Sequence, residues 1–347
     1  MFMALIRRNI IRLLLLSLPL LMIVDLPAEA ARGDTLAQAK ARGVLRCGVS
    51  EGVAGFSAMN AAGRWAGIDV EFCHAVAAVA LGNAERVAFV PLKASARFPA
   101  LRTGGVDLLS RNTTWTLTRE STLDVRFPGI LFYDGQAFMV PKKSGVTSVA
   151  GLDGTTVCVE KGTSSEVHLA DYFAARKLSI KPLVLDSPSE VASAYFKGLC
   201  SAYTGDAAHL SAIRLLVTGR AQEHVILPER IAKEPLGPVV RATDEMWVML
   251  VRWVLFSLIA AEEYGVTQGN VKERMRDPAI ARALEPGADV SIAIGVEPGW
   301  VERAVLSVGN YGEIFERNLG AQSPLGLDRG LNRLWTQGGL MYAPPVR

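Results

Sequence analysis

Hydrophobic and polar positions alternate along the first part of the chain in a pattern typical of short strands separated by amphipathic helices. In residues 67–81, the apolar side chains Val70, Cys73, Val76 and Ala77 recur at helical spacing. Short apolar runs bounded by turn residues predict strands. The predicted order is strand 44–49, helix 67–81, strand 87–90, helix 96–102 and strand 106–109.

The middle of the chain repeats this order. Strands are predicted over 154–159, 183–185 and 200–203, and helices over 166–176 and from Ser187 to Gly198. Alternating strands and helices predict parallel α/β sheets, and the chain is long enough for two lobes built in this way. In such sheets, ligands bind beyond the carboxyl ends of the strands.

Two stretches are apolar enough to be compared with membrane spans. Residues 13–24 follow Arg7, Arg8 and Arg12 and precede a small-residue cleavage site, which predicts a secretory signal peptide, residues 1–30, cleaved after Ala30. An uncleaved signal anchor is the alternative. Residues 244–264 contain Arg252 and are bracketed by acids, so we expect a buried helix there.

Net charge and cysteine content further restrict the classes of function to consider. Removing residues 1–30 lowers the formal net charge from +3 to +2, which disfavours nucleic-acid binding. The cysteines Cys47, Cys73, Cys158 and Cys200 allow three disulfide connectivities. We favour Cys47–Cys73 with Cys158–Cys200, because each bridge then stays inside one lobe. Two unbridged buried pairs are the alternative, and no CxxC spacing indicates zinc.

A polar segment follows the predicted strand 106–109. Residues 110–119 form what we expect to be a loop, rich in hydroxyl groups and ending at Arg119. An arginine can bind a carboxylate through two hydrogen bonds, and hydroxyls satisfy the remaining lone pairs. Asn112, Thr114 and Arg119 are therefore candidate ligand-binding residues, although Arg119 could instead pair with Glu120, and Asn112 or Thr114 could merely cap a turn.

Further candidate residues follow the strands of the second lobe. Thr163 and Ser164 precede a predicted helix, where they either cap its first turn or also bind an anion. Asp206 follows the strand 200–203, where it either caps the next helix or balances a ligand ammonium group. With Arg119 on the facing lobe, Asp206 would complete a receptor for a zwitterion.

Sequence signals for catalysis are weak. The four histidines are scattered and predict no metal site, and no hydrolase, nucleotide-binding or metalloprotease motif is present. We therefore predict neither catalytic residues nor a cofactor.

Six stretches carry a family resemblance: AGFS at 54–57, WAGIDVEFC at 65–73, GGVDLLSRNTTWT at 104–116, KEPLGP at 233–238, VGNYGEIFERN at 308–318 and GGLMYAPP at 338–345. With these stretches the chain resembles the periplasmic amino acid-binding proteins of ABC transporters, solute-binding protein family 3. It is most similar to the general L-amino acid-binding members.

The resemblance implies an α/β, two-lobe periplasmic binding protein type II fold with two hinge crossovers, near 138–141 and 233–241. It implies a first lobe formed by residues 31–138 and 237–347, and a second lobe formed by residues 139–236. The implied protein is a periplasmic monomer that is not an enzyme, captures L-amino acids of broad specificity and delivers them to an inner-membrane ABC permease complex.

The resemblance also assigns roles to the candidate residues. Arg119 and Thr114 bind the α-carboxylate, Thr163 and Ser164 provide the helix terminus of the second lobe, and Asp206 binds the ammonium group.

The chain departs from narrow-specificity relatives at three positions. Val53 and Ala94 stand where many relatives have aromatic residues, which predicts a roomier pocket, and Arg111 stands where many have a small residue. Arg111 either points away or favours acidic ligands. An enzyme on the same fold, such as a periplasmic dehydratase, is the alternative function, and a sensory ligand-binding domain is a third class.

Overall fold

The computed structural model describes residues 34–216 and 221–347. The predicted signal peptide, residues 1–30, lies outside the described residues.

Helices and strands alternate along most of the described chain. The strands are β1 Leu45–Val49, β2 Ala58–Met59, β3 Trp65–Ala66, β4 Val87–Pro91, β5 Leu108–Thr114, β6 Val125–Arg126, β7 Phe132–Pro141, β8 Thr156–Glu160, β9 Lys181–Leu185, β10 Ala202–Asp206, β11 His224–Ile226 and β12 Ala232–Arg241. The α-helices are α1 Thr35–Arg42, α2 Ile68–Leu81, α3 Arg97–Arg102, α4 Leu117–Thr122, α5 Ser164–Ala175, α6 Pro188–Phe196, α7 Ala207–Leu215, α8 Glu245–Glu263, α9 Val271–Arg274, α10 Pro278–Leu284, α11 Ala288–Ala293, α12 Trp300–Val308 and α13 Tyr311–Asn318.

One sheet runs through the molecule in the strand order β4-β1-β5-β12-β7-β10-β8-β9. Strands β4, β1 and β5 are parallel at one end, and β10, β8 and β9 are parallel at the other. We call these ends lobe 1 and lobe 2. The long strands β12 and β7, which we call the hinge strands, lie between them and pair antiparallel to each other. The alternation of strands and helices thus produces the expected parallel α/β halves.

Each hinge strand pairs with the other hinge strand on one side and with a strand of one lobe on the other side. In β7, residues 132–136 pair with β12, and residues 136–139 pair with β10 of lobe 2. In β12, residues 232–236 pair with β7, while Leu236, Gly237 and Val239 pair with β5 of lobe 1. The chain therefore crosses between the lobes within strands that remain hydrogen-bonded.

Strand β8 of lobe 2 has buried apolar side chains on both faces of the sheet. On β8, Val157 and Val159 pack in one buried cluster with Phe173, while Cys158 packs in another with Tyr203. Successive side chains of a strand point to opposite faces, so both faces must be covered by helices. This arrangement leaves the carboxyl ends of the strands as the place where polar side chains converge.

The cysteines pair as favoured from the sequence. Cys47 on β1 is bonded to Cys73 on α2, with Cα atoms 6.3 Å apart, and Cys158 on β8 is bonded to Cys200, with Cα atoms 5.7 Å apart. Each bridge lies within one lobe.

The apolar stretch 244–264 forms α8, as predicted, with Trp247 and Leu255 among its buried residues. No helix in the described ranges has the length and apolar character that a membrane crossing requires. The segments that follow α8 pack on lobe 1: α12 lies against α2, and the Tyr311 hydroxyl donates to the carbonyl of Leu131, 2.9 Å away.

Candidate functional site

A small polar cavity lies where lobe 1 faces lobe 2. Lobe 1 contributes Arg97, Arg111, Asn112 and Thr114. Lobe 2 contributes, among others, Glu160, Thr163, Ser164, Tyr203, Asp206 and His209. The cavity volume is about 30 Å³, and since one water molecule needs roughly 10–15 Å³ of cavity, it has room for a few waters at most. A ligand of amino acid size therefore requires the lobes to separate and the side chains to rearrange.

The segment expected to be a loop, residues 110–119, is in fact the end of strand β5, which runs through Thr114, followed by the first residues of helix α4, which contains Arg119. The prediction failed because polar side chains facing a cleft interrupt the apolar pattern that signals a buried strand. Asn112 bends the strand, with a backbone φ of 34° in the left-handed region that asparagine tolerates.

Asp69, at the start of α2, holds this bend in place. Its carboxylate accepts a hydrogen bond from the Asn112 backbone N–H at 3.1 Å and from the Ser110 hydroxyl at 2.8 Å. Burial raises the pKa of Asp69 to about 6. The bend directs the Asn112 amide across the cleft to Asp206, 3.3 Å away, while Asn112 Oδ1 is buried without a hydrogen-bond partner.

Asp206 lies at the carboxyl end of β10 and occupies the N-cap position of α7. Its side chain makes no capping hydrogen bond, so the alternative role considered from the sequence, capping of the next helix, is not what its carboxylate does. Burial raises the pKa of Asp206 well above its ordinary value, and the neighbouring carboxylates of Glu234 and Asp134 raise it further. A cation beside Asp206 would relieve this unfavourable burial of negative charge.

Thr163 and Ser164 divide two tasks at the start of α5. Thr163 is the N-cap, and its side chain accepts a hydrogen bond from the Glu166 backbone N–H at 3.2 Å. The Ser164 hydroxyl instead lies 2.8 Å from the Thr114 hydroxyl on lobe 1. The first N–H groups of an α-helix have no partner within the helix, so this terminus remains able to bind an anion.

Arg119 lies next to the cavity but does not line it. Its guanidinium donates to the carbonyl oxygen of Thr114 at 2.6 Å and lies 5.5 Å from the centre of the Phe98 ring. Burial lowers the pKa of Arg119 to about 10, so the group is charged at neutral pH. Of the candidate ligand-binding residues, the structure brings Asn112, Thr114, Thr163, Ser164 and Asp206 together around the cavity and places Arg119 directly behind Thr114.

Arg111, whose direction the sequence left open, points into the cleft. It is 2% exposed, donates from Nε to the carbonyl of Leu92 at 2.9 Å, and forms an ion pair with Glu160 of lobe 2 at 3.1 Å. Its charge is thus compensated by a residue of the facing lobe.

Arg97 is a cavity residue that the sequence argument missed. It is 2% exposed, and among the described residues its Nε has no hydrogen-bond partner, while its Nη2 donates a long hydrogen bond of 3.4 Å to the carbonyl of Gly162. Burial lowers the pKa of Arg97 well below its ordinary value, and the charges of Arg119 and Arg111 lower it further. An anion beside Arg97 would stabilise its charge.

Small residues do not enlarge the cavity here. Val53 and Ala94 are buried and do not line it, whereas Arg97 and Arg111 do. At Gly162 of lobe 2, an added Cβ would lie 3.1 Å from the Ser95 Cα of lobe 1, so the two lobes are in close backbone contact.

Acidic residues on the hinge strands were also missed. Glu234 on β12 and Asp134 on β7 face each other in the sheet register. In the sequence each lies within an apolar or mixed strand pattern, without a local signal for a site. Glu160 could have been found, because it is the last residue of β8 and therefore lies at a carboxyl end.

Metal chemistry has no support among the described residues, where no cluster of three potential metal-binding side chains is found. His209 hydrogen-bonds to the Tyr203 hydroxyl at 2.8 Å, and burial lowers the pKa of His209 to about 4. It is therefore a neutral group at pH 7.

The fold and the site define a two-lobed α/β binding protein whose ligand groups lie between the lobes. Residues 45–270 match the model of the bacterial extracellular solute-binding proteins, family 3, and the chain belongs to this family.

The chain is similar along most of its length to characterised proteins. It is 47% identical to the general L-amino acid-binding periplasmic protein AapJ of Rhizobium johnstonii, over 92% of this chain and 95% of that one. It is 47% identical to the glutamate/glutamine/aspartate/asparagine-binding protein BztA of Rhodobacter capsulatus, over 93% and 96%. A periplasmic binding protein structure from Brucella ovis with glutathione bound is 46% identical, with a TM-score of 0.87 over 91% of this chain and 100% of that one.

Proposed function

We propose that this protein is an L-amino acid receptor that delivers its ligand to an ABC permease complex in the inner membrane. One observation carries the proposal: the cavity combines a buried acid without an ion-pair partner among the described residues, Asp206, with basic groups and a helix N-terminus, contributed by both lobes. The zwitterionic end of an amino acid carries the complementary charges. Its similarity to AapJ and BztA over more than nine-tenths of the chain supports the same function.

In the proposed complex, Asp206 and Asn112 Oδ1 accept hydrogen bonds from the ammonium group. Arg119 and the N-terminus of α5 bind the α-carboxylate, with Thr163 capping the helix that supplies the N–H groups. Arg119 reaches the ligand after the lobes have separated and its bond to the Thr114 carbonyl has been exchanged.

Binding then acts through lobe closure. A ligand shifts a conformational equilibrium only by binding one state more tightly, and contacts to both lobes exist only in the closed state. The protein requires no covalent step, and we place no catalytic residue. We propose that it acts as a monomer in the periplasm, after cleavage of residues 1–30.

Arg97 extends the proposal to the ligand side chain. The broad specificity expected from the sequence is retained, but the buried Arg97, whose Nε has no hydrogen-bond partner among the described residues, favours side chains that end in oxygen atoms, as in glutamate, glutamine, aspartate and asparagine. BztA is named for binding these four amino acids.

Calorimetric titration of the purified protein with a panel of L-amino acids tests the function. We expect binding by several amino acids, with glutamate and glutamine tighter than leucine. Arg119→Ala should weaken all of them alike, because the α-carboxylate is common to the panel. A folded protein that binds none of the panel would refute the proposal.

Glutathione is a second candidate ligand, favoured by the bound molecule in the Brucella ovis structure. Its γ-glutamyl group carries the same ammonium and α-carboxylate groups as an amino acid, and its second carboxylate could contact Arg97. The same titration with reduced glutathione decides between the candidates, since a receptor for glutathione would bind it more tightly than any amino acid of the panel.

A further inference from the structure

Glu234 is a fully buried acid on the hinge strand β12, with no exposed surface. It does not line the cavity, yet it contacts both walls of it. Its carboxylate Oε2 accepts hydrogen bonds from the Thr114 hydroxyl of lobe 1 and, at 2.9 Å, from the Ser164 hydroxyl of lobe 2. Its other oxygen, Oε1, lies 3.3 Å from His168 Nδ1.

The number of protons limits what these hydroxyls can do. Thr114 Oγ1 and Ser164 Oγ lie 2.8 Å apart and both contact Glu234 Oε2, so three oxygen–oxygen contacts share two hydroxyl protons. An ionised carboxylate only accepts hydrogen bonds and is the strongest acceptor of the three groups. Two protons can occupy only two of the three contacts, and the carboxylate attracts them most strongly, which leaves hydroxyl lone pairs directed at the cavity.

The charge around Glu234 also favours a ligand group that donates hydrogen bonds and carries positive charge. Glu234 lies near Asp206, whose pKa its negative charge helps to raise, and it pairs with Asp134 across the hinge strands. Asn112 Oδ1 adds another acceptor without a partner. This side of the cavity therefore presents acceptors and negative charge, which an ammonium group with three N–H donors satisfies.

We propose that Glu234 is a positioning residue that fixes the Thr114 and Ser164 hydroxyls as hydrogen-bond acceptors for the ligand ammonium group. This inference rests on the proposed function, and it changes the role expected for Thr114 from binding the carboxylate to binding the amine. Because Glu234 contacts lobe 1 and lobe 2 from the hinge strand, the two hydroxyls are oriented together only when the lobes are closed.

Glu234→Gln tests the proposal without changing the size of the side chain. Its neutral amide oxygen is a weaker acceptor than the carboxylate, so it holds the two hydroxyl protons away from the cavity less firmly. We expect the affinity for the best amino acid of the panel to fall by about tenfold or more. The affinity for its 2-hydroxy-acid analogue, which lacks the ammonium group, should change by less than about threefold.

Two further variants keep the result interpretable. Glu229→Gln alters a partly buried glutamate outside the cavity, which accepts a hydrogen bond from the Val149 backbone N–H, and should leave both affinities unchanged. Thr114→Val removes one acceptor directly and should likewise weaken the amino acid more than the hydroxy acid. In the double variant, the additional loss of affinity caused by Glu234→Gln should be smaller than its loss in the wild-type background. The reason is that Thr114→Val has already removed one of the two hydroxyls that Glu234 orients.

The outcomes separate this inference from the proposed function. If the wild-type protein binds no amino acid, the proposed function fails. If it does, but Glu234→Gln weakens the amino acid and the hydroxy acid equally, Glu234 has only a structural role and the inference is wrong. If Glu234→Gln does not fold, an equal effect of Thr114→Val on both ligands would contradict the inference instead.

Discussion

At the residue scale, the partner of each arginine decides what that arginine can bind. Arg111 has a carboxylate partner in Glu160, and Arg119 has a carbonyl partner, whereas Arg97 makes one long hydrogen bond and lies 4.9 Å from the centre of the Phe98 ring. The three arginines therefore differ in how much of their charge and how many of their N–H donors remain for a ligand. Of these three, Arg97 combines nearly complete burial with an Nε donor that has no partner among the described residues.

Arg97→Met should therefore change selectivity. We expect the affinity for glutamate to fall by about tenfold or more, with little change for leucine, because methionine keeps much of the volume and loses the charge. Isothermal titration measures both. Arg102→Met, on the exposed side of the same helix α3, is the matched control and should have no effect. Equal losses for glutamate and leucine would assign Arg97 to the common part of the ligand.

Asp206 predicts a pH dependence of binding. Its pKa is raised in the ligand-free protein, so it becomes protonated as the pH falls while the ligand ammonium remains charged. Affinity should therefore fall as the pH is lowered through the raised pKa of Asp206, and binding should release protons over the same pH range. Titration in two buffers of different ionisation enthalpy measures the released protons.

Asp206→Asn provides the control for this measurement. It should bind more weakly and lose most of the pH dependence. An unchanged pH profile in Asp206→Asn would assign the titrating group to another residue.

At the element scale, strand β5 and strand β8 end opposite each other and bring Arg111 against Glu160. The side chains are 2% and 12% exposed, so this ion pair between the lobes is largely shielded from water. Glu160→Gln would leave the buried Arg111 charge unpaired in the closed form alone. We expect the affinity for all amino acids to fall by a similar factor, about tenfold, as measured by calorimetry across the panel.

Asp186→Asn is the matched control for Glu160→Gln. It breaks the ion pair of Lys161 with Asp186 in lobe 2, where the nitrogen–oxygen distance is 3.6 Å and the side chains are 59% and 53% exposed. Exposed pairs contribute little, so affinity should stay unchanged. A changed ranking among amino acids in Glu160→Gln would instead make Arg111 a contact of the ligand side chain.

The elements show what the sequence could predict. Helix α2 and strand β8 were predicted because apolar side chains cover one or both of their faces. Strand β5 was cut short at Leu109 in the prediction, because its last residues face the cleft and are polar. Local pattern also found the N-cap Thr163, but it could not find Glu234, whose importance depends on Thr114 and Ser164, far away in the chain.

At the scale of the whole molecule, each disulfide joins elements of one lobe, and neither bridge includes a residue of the hinge strands. Replacing both Cys47 and Cys73 with alanine should lower the free energy of unfolding by about 2–4 kcal/mol, since their link closes a loop in the unfolded chain. Neither residue lines the cavity, so ligand affinity should change by less than about twofold. Chemical denaturation and calorimetry measure the two quantities, and a large loss of affinity would show that the bridge also shapes the cleft.

The packing of α12 against α2 joins distant parts of the chain within lobe 1. Strands β8, β9 and β10 of lobe 2 and the helices between them all lie before residue 216. Lobe 1 begins earlier in the chain but also needs α12 and α13, and Asn332 exchanges two hydrogen bonds with Tyr133 on β7. The lobe that starts first in the chain is therefore completed last, so a truncation before α12 would strip packing from lobe 1 and leave every cavity-lining residue in the chain.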